Sequence, residues 1–135
     1  MNSALTKWIV KSTEPPRLPT TEISEIEANS KYTGNTPITL HNGEYVLLKN
    51  ETDNCFTVGA GGRIHMMFGL NTNGYASVQL INLRNGNEVL NSWQGYTGGF
   101  SFSATTETYS YVYGKIKNIG SNAFTINWAS INISY

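Results

Sequence analysis

The sequence predicts an all-β fold, an antiparallel β-sandwich of jelly-roll type with about eight strands, and three observations predict it. Short runs of alternating apolar and polar residues recur at intervals of roughly ten residues. Turns rich in Gly and Asn separate them. Asn, Thr, Gly and Ser are the commonest residues and Tyr is frequent, which leaves few helix formers and many residues that suit turns and a pleated surface.

From about Thr36 the elements follow one another as strand and turn. A strand at 37–41 meets Asn42-Gly43, the strongest short hairpin signal, and returns through 44–49. A strand at 54–58 leads to the turn Gly59-Ala60-Gly61-Gly62, then to a strand from Arg63 to about Leu70. Asn71-Thr72-Asn73-Gly74 reads as a turn into 75–83, where Ala76, Val78 and Leu80 alternate with Tyr75, Ser77 and Gln79. Arg84-Asn85-Gly86-Asn87 turns into 88–93, and a Gly95 to Gly99 loop leads to 99–103. Strands at 107–117 and 123–134 complete the set. In the last one Phe124, Ile126 and Trp128 share a face, and Ile131, Ile133 and Tyr135 follow out of phase. That slip implies a bulge near Ala129-Ser130, or a strand buried on both faces.

The first part of the chain is different. Residues 1–35 read as an extended anchor or linker segment and 36–135 as the β-sandwich head. Pro15, Pro16 and Pro19 oppose regular structure in the segment, and Thr21 to Ala28 holds at most a short helical stretch. Trp8, Ile9 and Val10 form its one apolar cluster, the candidate anchor, of the kind that orders on binding another surface. The same cluster is too short for the apolar core of a signal peptide.

Charge excludes several classes of function. The formal net charge is zero and only 13% of residues are charged, with no cluster of Lys and Arg to neutralise phosphates or an anionic membrane. No nucleic acid partner and no membrane insertion are expected. One cysteine, Cys55, leaves no intramolecular disulfide, and it reads as a small buried hydrophobe rather than a nucleophile. His41 and His65 lack the spacing of metal ligands, so no metal site and no cofactor are expected. Glu51 and Asp53, two apart, are the only carboxylate pair considered for glycan chemistry or calcium, and a solvated loop explains them as well. Neither Gly run continues into a phosphate-loop motif. The chain is read as no enzyme.

Aromatics are what remains. Tyr109, Tyr111 and Tyr113 at two-residue spacing line one face of a strand, extended by Lys115 and Lys117. They fit core packing, a subunit interface or a stacking platform for sugars. Trp93, Tyr96 and Phe100 surround the Gly-rich stretch and form either a glycan site or a plug at the open end of the sandwich.

In its last third, Tyr111-Val112-Tyr113-Gly114-Lys115-Ile116-Lys117-Asn118-Ile119-Gly120-Ser121-Asn122-Ala123-Phe124-Thr125-Ile126-Asn127-Trp128, the chain resembles bacteriophage and virus surface appendages: head-fibre, decoration and tail-fibre tip proteins with jelly-roll or C1q/TNF-like heads. The resemblance covers residues 36–135. It implies a homotrimer at the virion surface, held to a capsid or tail protein through the N-terminal segment and touching a host-surface glycan with its distal face. The alternatives are a lectin-like carbohydrate-binding module, secreted or at a cell surface, and a small glycan-active enzyme using Glu51 and Asp53.

Overall fold

The computed structural model describes residues 30–34, 37–49 and 55–135. Trp8, Ile9, Val10, the proline stretch, Glu51 and Asp53 lie outside the described residues.

Eight strands are formed among the described residues: β1 Ser30–Gly34, β2 Ile38–Leu40, β3 Tyr45–Leu48, β4 Phe56–Val58, β5 Arg63–Asn82, β6 Glu88–Thr105, β7 Ser110–Asn118 and β8 Phe124–Ser134. All pairings are antiparallel. The architecture is the antiparallel β-sandwich that the alternation predicts, and its sheet includes Ser30–Gly34, ahead of the point where the strand pattern becomes readable.

One strand builds both layers. The first half of β5 pairs with β8, and β8 carries β1 and β2 on its other edge. Its second half pairs with β7, which carries β3 and β4. β6 follows β5 along its whole length and forms the outer strand of both layers among the described residues. The two layers meet face to face. Ile64, Met66, Phe68, Ile126, Ile131 and Ile133 of the first join Val46, Leu48, Phe56, Val78, Leu80 and Ile116 of the second in one core. Each such side chain contributes about 1.5–3 kcal/mol by leaving water. Gly114 on β7 shows how close the layers come: a Cβ there would stand 2.6 Å from Met66 Sδ.

Three local readings are corrected. Asn71 to Gly74 is not a turn and Gly95 to Gly99 is not a loop, because β5 and β6 run straight through both. Gly69 pairs with Gly99 and Gly74 with Thr97, which sets Leu70 to Asn73 opposite Gly98 alone. The glycines and asparagines there serve a bulge at which the hairpin crosses from one layer to the other. Asn42-Gly43 does turn, with Gly43 at φ 85° and Glu44 N donating to His41 O at 2.9 Å. Its arms do not form a hairpin, however: β2 joins β8 and β3 joins β7. Finally, the slip in β8 falls at Asn127, since Trp128 pairs with Gly69 and Ile126 with Leu70. Ala129, Ile131 and Ile133 therefore enter the core and Trp128 faces out.

Asn118 fastens the layers at the Asn42-Gly43 end. Its buried side chain on β7 donates through Nδ2 to Leu40 O and to Asn122 O, each at 2.9 Å, and accepts from Gly120 N at 2.9 Å. Leu40 belongs to the other layer. Asn118→Ala leaves these backbone groups unpaired and is expected to cost on the order of 2–4 kcal/mol in a denaturant titration. Asn42→Ala, which removes one exposed bond to Gly120 O, is the control and should cost less than about 1 kcal/mol.

Candidate functional site

The aromatic residues singled out in the sequence separate into three environments. Tyr109, Tyr111 and Tyr113 lie on the outer face of the second layer, away from the sandwich core. Tyr113 is 6% exposed, packs with Leu47, Cys55 and Ile81, and donates its hydroxyl to Asn87 Oδ1 at 2.9 Å. Tyr111 meets Tyr109 edge to face at 5.5 Å, with the Arg84 guanidinium 5.5 Å from the Tyr109 ring centroid. These rings are spent on one another, and Tyr113 offers no open face to a ligand.

Trp93 points inward. It is aligned with buried Val78, stacks on Phe100 at 3.9 Å with the planes 14° apart, and packs against the core. Trp93 comes from one half of β6 and Phe100 from the other, so the pair closes the sandwich along this strand. Gly95 makes room for the indole, which would lie 2.8 Å from any Cβ at that position. Of the two uses weighed for Trp93 and Phe100, the geometry is that of the plug.

Tyr96 points outward and finds a partner the sequence reading did not give it. It stands directly across from Tyr75, with ring centroids 4.8 Å apart and planes at 53°. Tyr96 is 60% exposed and Tyr75 53%. Gly120 lies under Tyr75, its would-be Cβ 3.1 Å from Tyr75 Cβ, and Ile119 N donates to Tyr75 O at 3.1 Å. Tyr75 is thus held against the connection between β7 and β8.

The next two rows of the same face are polar. Gln94, Ser77 and Lys117 form one, and Ser92, Gln79 and Lys115 the other. Lys115 Nζ sits 4.4 Å from the Tyr45 ring centroid, and burial holds its pKa below the ordinary lysine value, with Lys117 adding to the shift. Two exposed aromatic faces thus adjoin amide, hydroxyl and ammonium groups.

Two concave features accompany this face. Around the layer-switching bulge, Met67, Gly99, Ser101 and Trp128 line an open groove of about 430 Å³ together with Phe68 and Phe100. At the sandwich end near Asn82, a polar pocket of about 310 Å³ is lined by Glu88, Glu107, Asn85, Thr105 and Thr108 among others. Among the described residues no three His, Cys, Asp or Glu side chains gather as metal ligands. His65 is half-buried between Ser103 and Asn132, and His41 is exposed beside its turn.

No protein-family model matches the chain, and no curated protein does. Among solved structures it is similar to the C-terminal carbohydrate-binding module of a laminarinase from Zobellia galactanivorans, at 19% identity over 69% of this chain and 75% of that one, with a TM-score of 0.43. A carbohydrate-binding module of a Cellvibrio mixtus lichenase gives 16% identity, 69% and 72% coverage and a TM-score of 0.41. Bacillus endospore appendages that form disulfide-linked pili give 8%, 83%, 96% and 0.43. Likenesses of this size carry no ligand or partner to this chain.

Cys55 is 1% exposed, and burial pushes its thiol from 9.0 up to about 12 against a smaller opposing effect of Lys49. The folded state holds the proton more tightly than the unfolded chain. Stability from this group is therefore intact below pH 9.0 and is lost as pH rises toward about 12. Iodoacetamide at about pH 8 should label the native protein far more slowly than the denatured chain. The alkaline fall in melting temperature should be shallower in Cys55→Ala.

Proposed function

We propose that this chain is a non-enzymatic, lectin-like carbohydrate-binding β-sandwich that works at a cell or particle surface. One observation carries the reading: the exposed Tyr75–Tyr96 pair, seated on Gly120 and bordered by Gln94, Ser77 and Lys117. Sugar rings present weakly positive C–H groups, which suit the negative face of a tyrosine ring, and hydroxyls, which suit amides and hydroxyls beside it. Both rings stand exposed on a sheet face, as befits a site that takes the side of a chain rather than enclosing a small molecule.

Affinity electrophoresis through gels containing neutral plant, algal and bacterial polysaccharides tests this. The full chain should be retarded by at least one of them. Tyr75→Ala and Tyr96→Ala should each weaken binding about tenfold or more, the share of a lost aromatic contact. Retardation that survives the double substitution, or none with any polysaccharide, overturns the reading.

A second reading concerns the setting. The virion-appendage expectation, a trimer held through residues 1–35, is favoured by β6, an 18-residue strand with one paired neighbour among the described residues. Its side away from β5, carrying only Glu88 as charge and no proline, is suited to contact with a neighbouring subunit. Light scattering on the full chain should then give three times the 14.9 kDa chain mass, and a monomer at all concentrations removes the trimer.

A further inference from the structure

The groove at Trp128 and the tyrosine pair stand on either side of the bulge, in different layers. Trp128, Gly69 and Gly99 are aligned across β8, β5 and β6, on the outer face of the first layer. Tyr96 and Tyr75 are aligned across β6 and β5 on the outer face of the second. Because β5 and β6 cross from one layer to the other between Gly69 and Gly74, both outer faces belong to one surface that runs over the bulge. Tyr96 and Gly99 are three residues apart, and the bulge lets both side-chain positions face outward.

The groove has a specific construction. Trp128 is 40% exposed, and its indole lies over Gly69, where a Cβ would collide with Nε1. The floor at Gly99 is backbone, with a would-be Cβ 2.9 Å from Phe68 O. Met67 forms a wall and Ser101 supplies a hydroxyl. An aromatic ring, a flat glycine floor and a hydroxyl repeat the chemistry of the tyrosine pair. Three residues along a strand at about 3.3 Å and two strand spacings of about 4.8 Å separate the two aromatic positions by on the order of 14 Å.

We infer that Trp128 is a second aromatic subsite of the same glycan site, so that the ligand is an extended oligosaccharide lying across the bulge, with one end on Tyr75–Tyr96 and the other in the groove of Trp128, Met67 and Ser101. The inference rests on the carbohydrate reading above and adds the length and course of the ligand. Its consequence is a step in affinity once the glycan is long enough to reach both positions.

The test uses the full chain and the oligosaccharide ladder, disaccharide to hexasaccharide, of a polysaccharide that retards it, with affinities from calorimetry. For the unaltered chain, affinity should rise about tenfold between the shortest rungs and the longest. In Trp128→Ala that rise should vanish while binding of the short rungs is unchanged. Ser101→Ile, an exposed substitution that fills the groove with a branched side chain lacking a flat face and leaves the indole in place, should abolish the same rise, and it serves if Trp128→Ala fails to fold. A rise that persists in both variants, or short rungs weakened as much as long ones, overturns the inference and leaves the tyrosine site standing. A chain that binds no rung and no polysaccharide overturns both.

Discussion

The rest of this structure depends on one constraint: β5 must satisfy hydrogen-bonding partners on both of its edges, in both layers. Arg63 to Gly69 lies between β8 and β6, and Ala76 to Asn82 between β7 and β6. A strand shared in this way forces the layers into a fixed relation and forces β6 to cross with it. The crossing needs backbone that can bend without a side chain in the way, and Gly69, Gly74, Gly98 and Gly99 supply it. At Gly74 a Cβ would stand 2.7 Å from Phe124, so the glycine also admits the ring that fills the core there.

Where backbone leaves the regular ladders, buried polar side chains take up its hydrogen bonds. Asn118 does so between the layers. Asn82 does so at the β5 end, accepting from Arg84 N and Tyr111 N, each at 3.1 Å, and donating to Ser110 Oγ. Thr106 donates to Gly59 O at 2.7 Å beneath the Gly59–Gly62 turn. All three are almost wholly buried, where an unpaired amide or hydroxyl would cost on the order of 1–3 kcal/mol. With core side chains filling both inner faces, the aromatics left outside are those the fold does not consume.

That division between consumed and spare aromatics is what links fold to function. Trp93 and Phe100 close the sandwich, and Tyr113 covers Cys55 and Leu47. Tyr75, Tyr96 and Trp128 pack against glycine or each other and keep open faces. Three exposed rings on strands rather than on loops have a spacing set by strand geometry.

Alternation and turn composition are enough to read the all-β class, the Gly59–Gly62 and Arg84–Asn87 turns, and the common face of Ala76, Val78 and Leu80. These are properties of near neighbours, and chain chemistry carries them directly. Which face of the Tyr109–Tyr113 strand turns inward, that of Val112 and Ile116, is decided only by the packed sheet. Tyr96 was in view as a site residue, and Tyr75 was legible as the tyrosine on the polar side of its strand. Their pairing was not, since Asn71 to Gly74 and Gly95 to Gly99 have the composition of turns, and only the partners β7 and β8 convert them into a bulge. Simple alternation sets Trp128 on the face of Phe124 and Ile126, and the extra residue at Asn127 turns it to the other face. Asn42-Gly43 carries a turn in its own dihedral angles, but which layer each arm joins depends on hydrogen bonds to strands some eighty residues later in the chain. Local conformation follows from residue type, whereas register and the choice of pairing partner are energies of the assembled sheet, and it is those that leave Tyr75, Tyr96 and Trp128 facing outward.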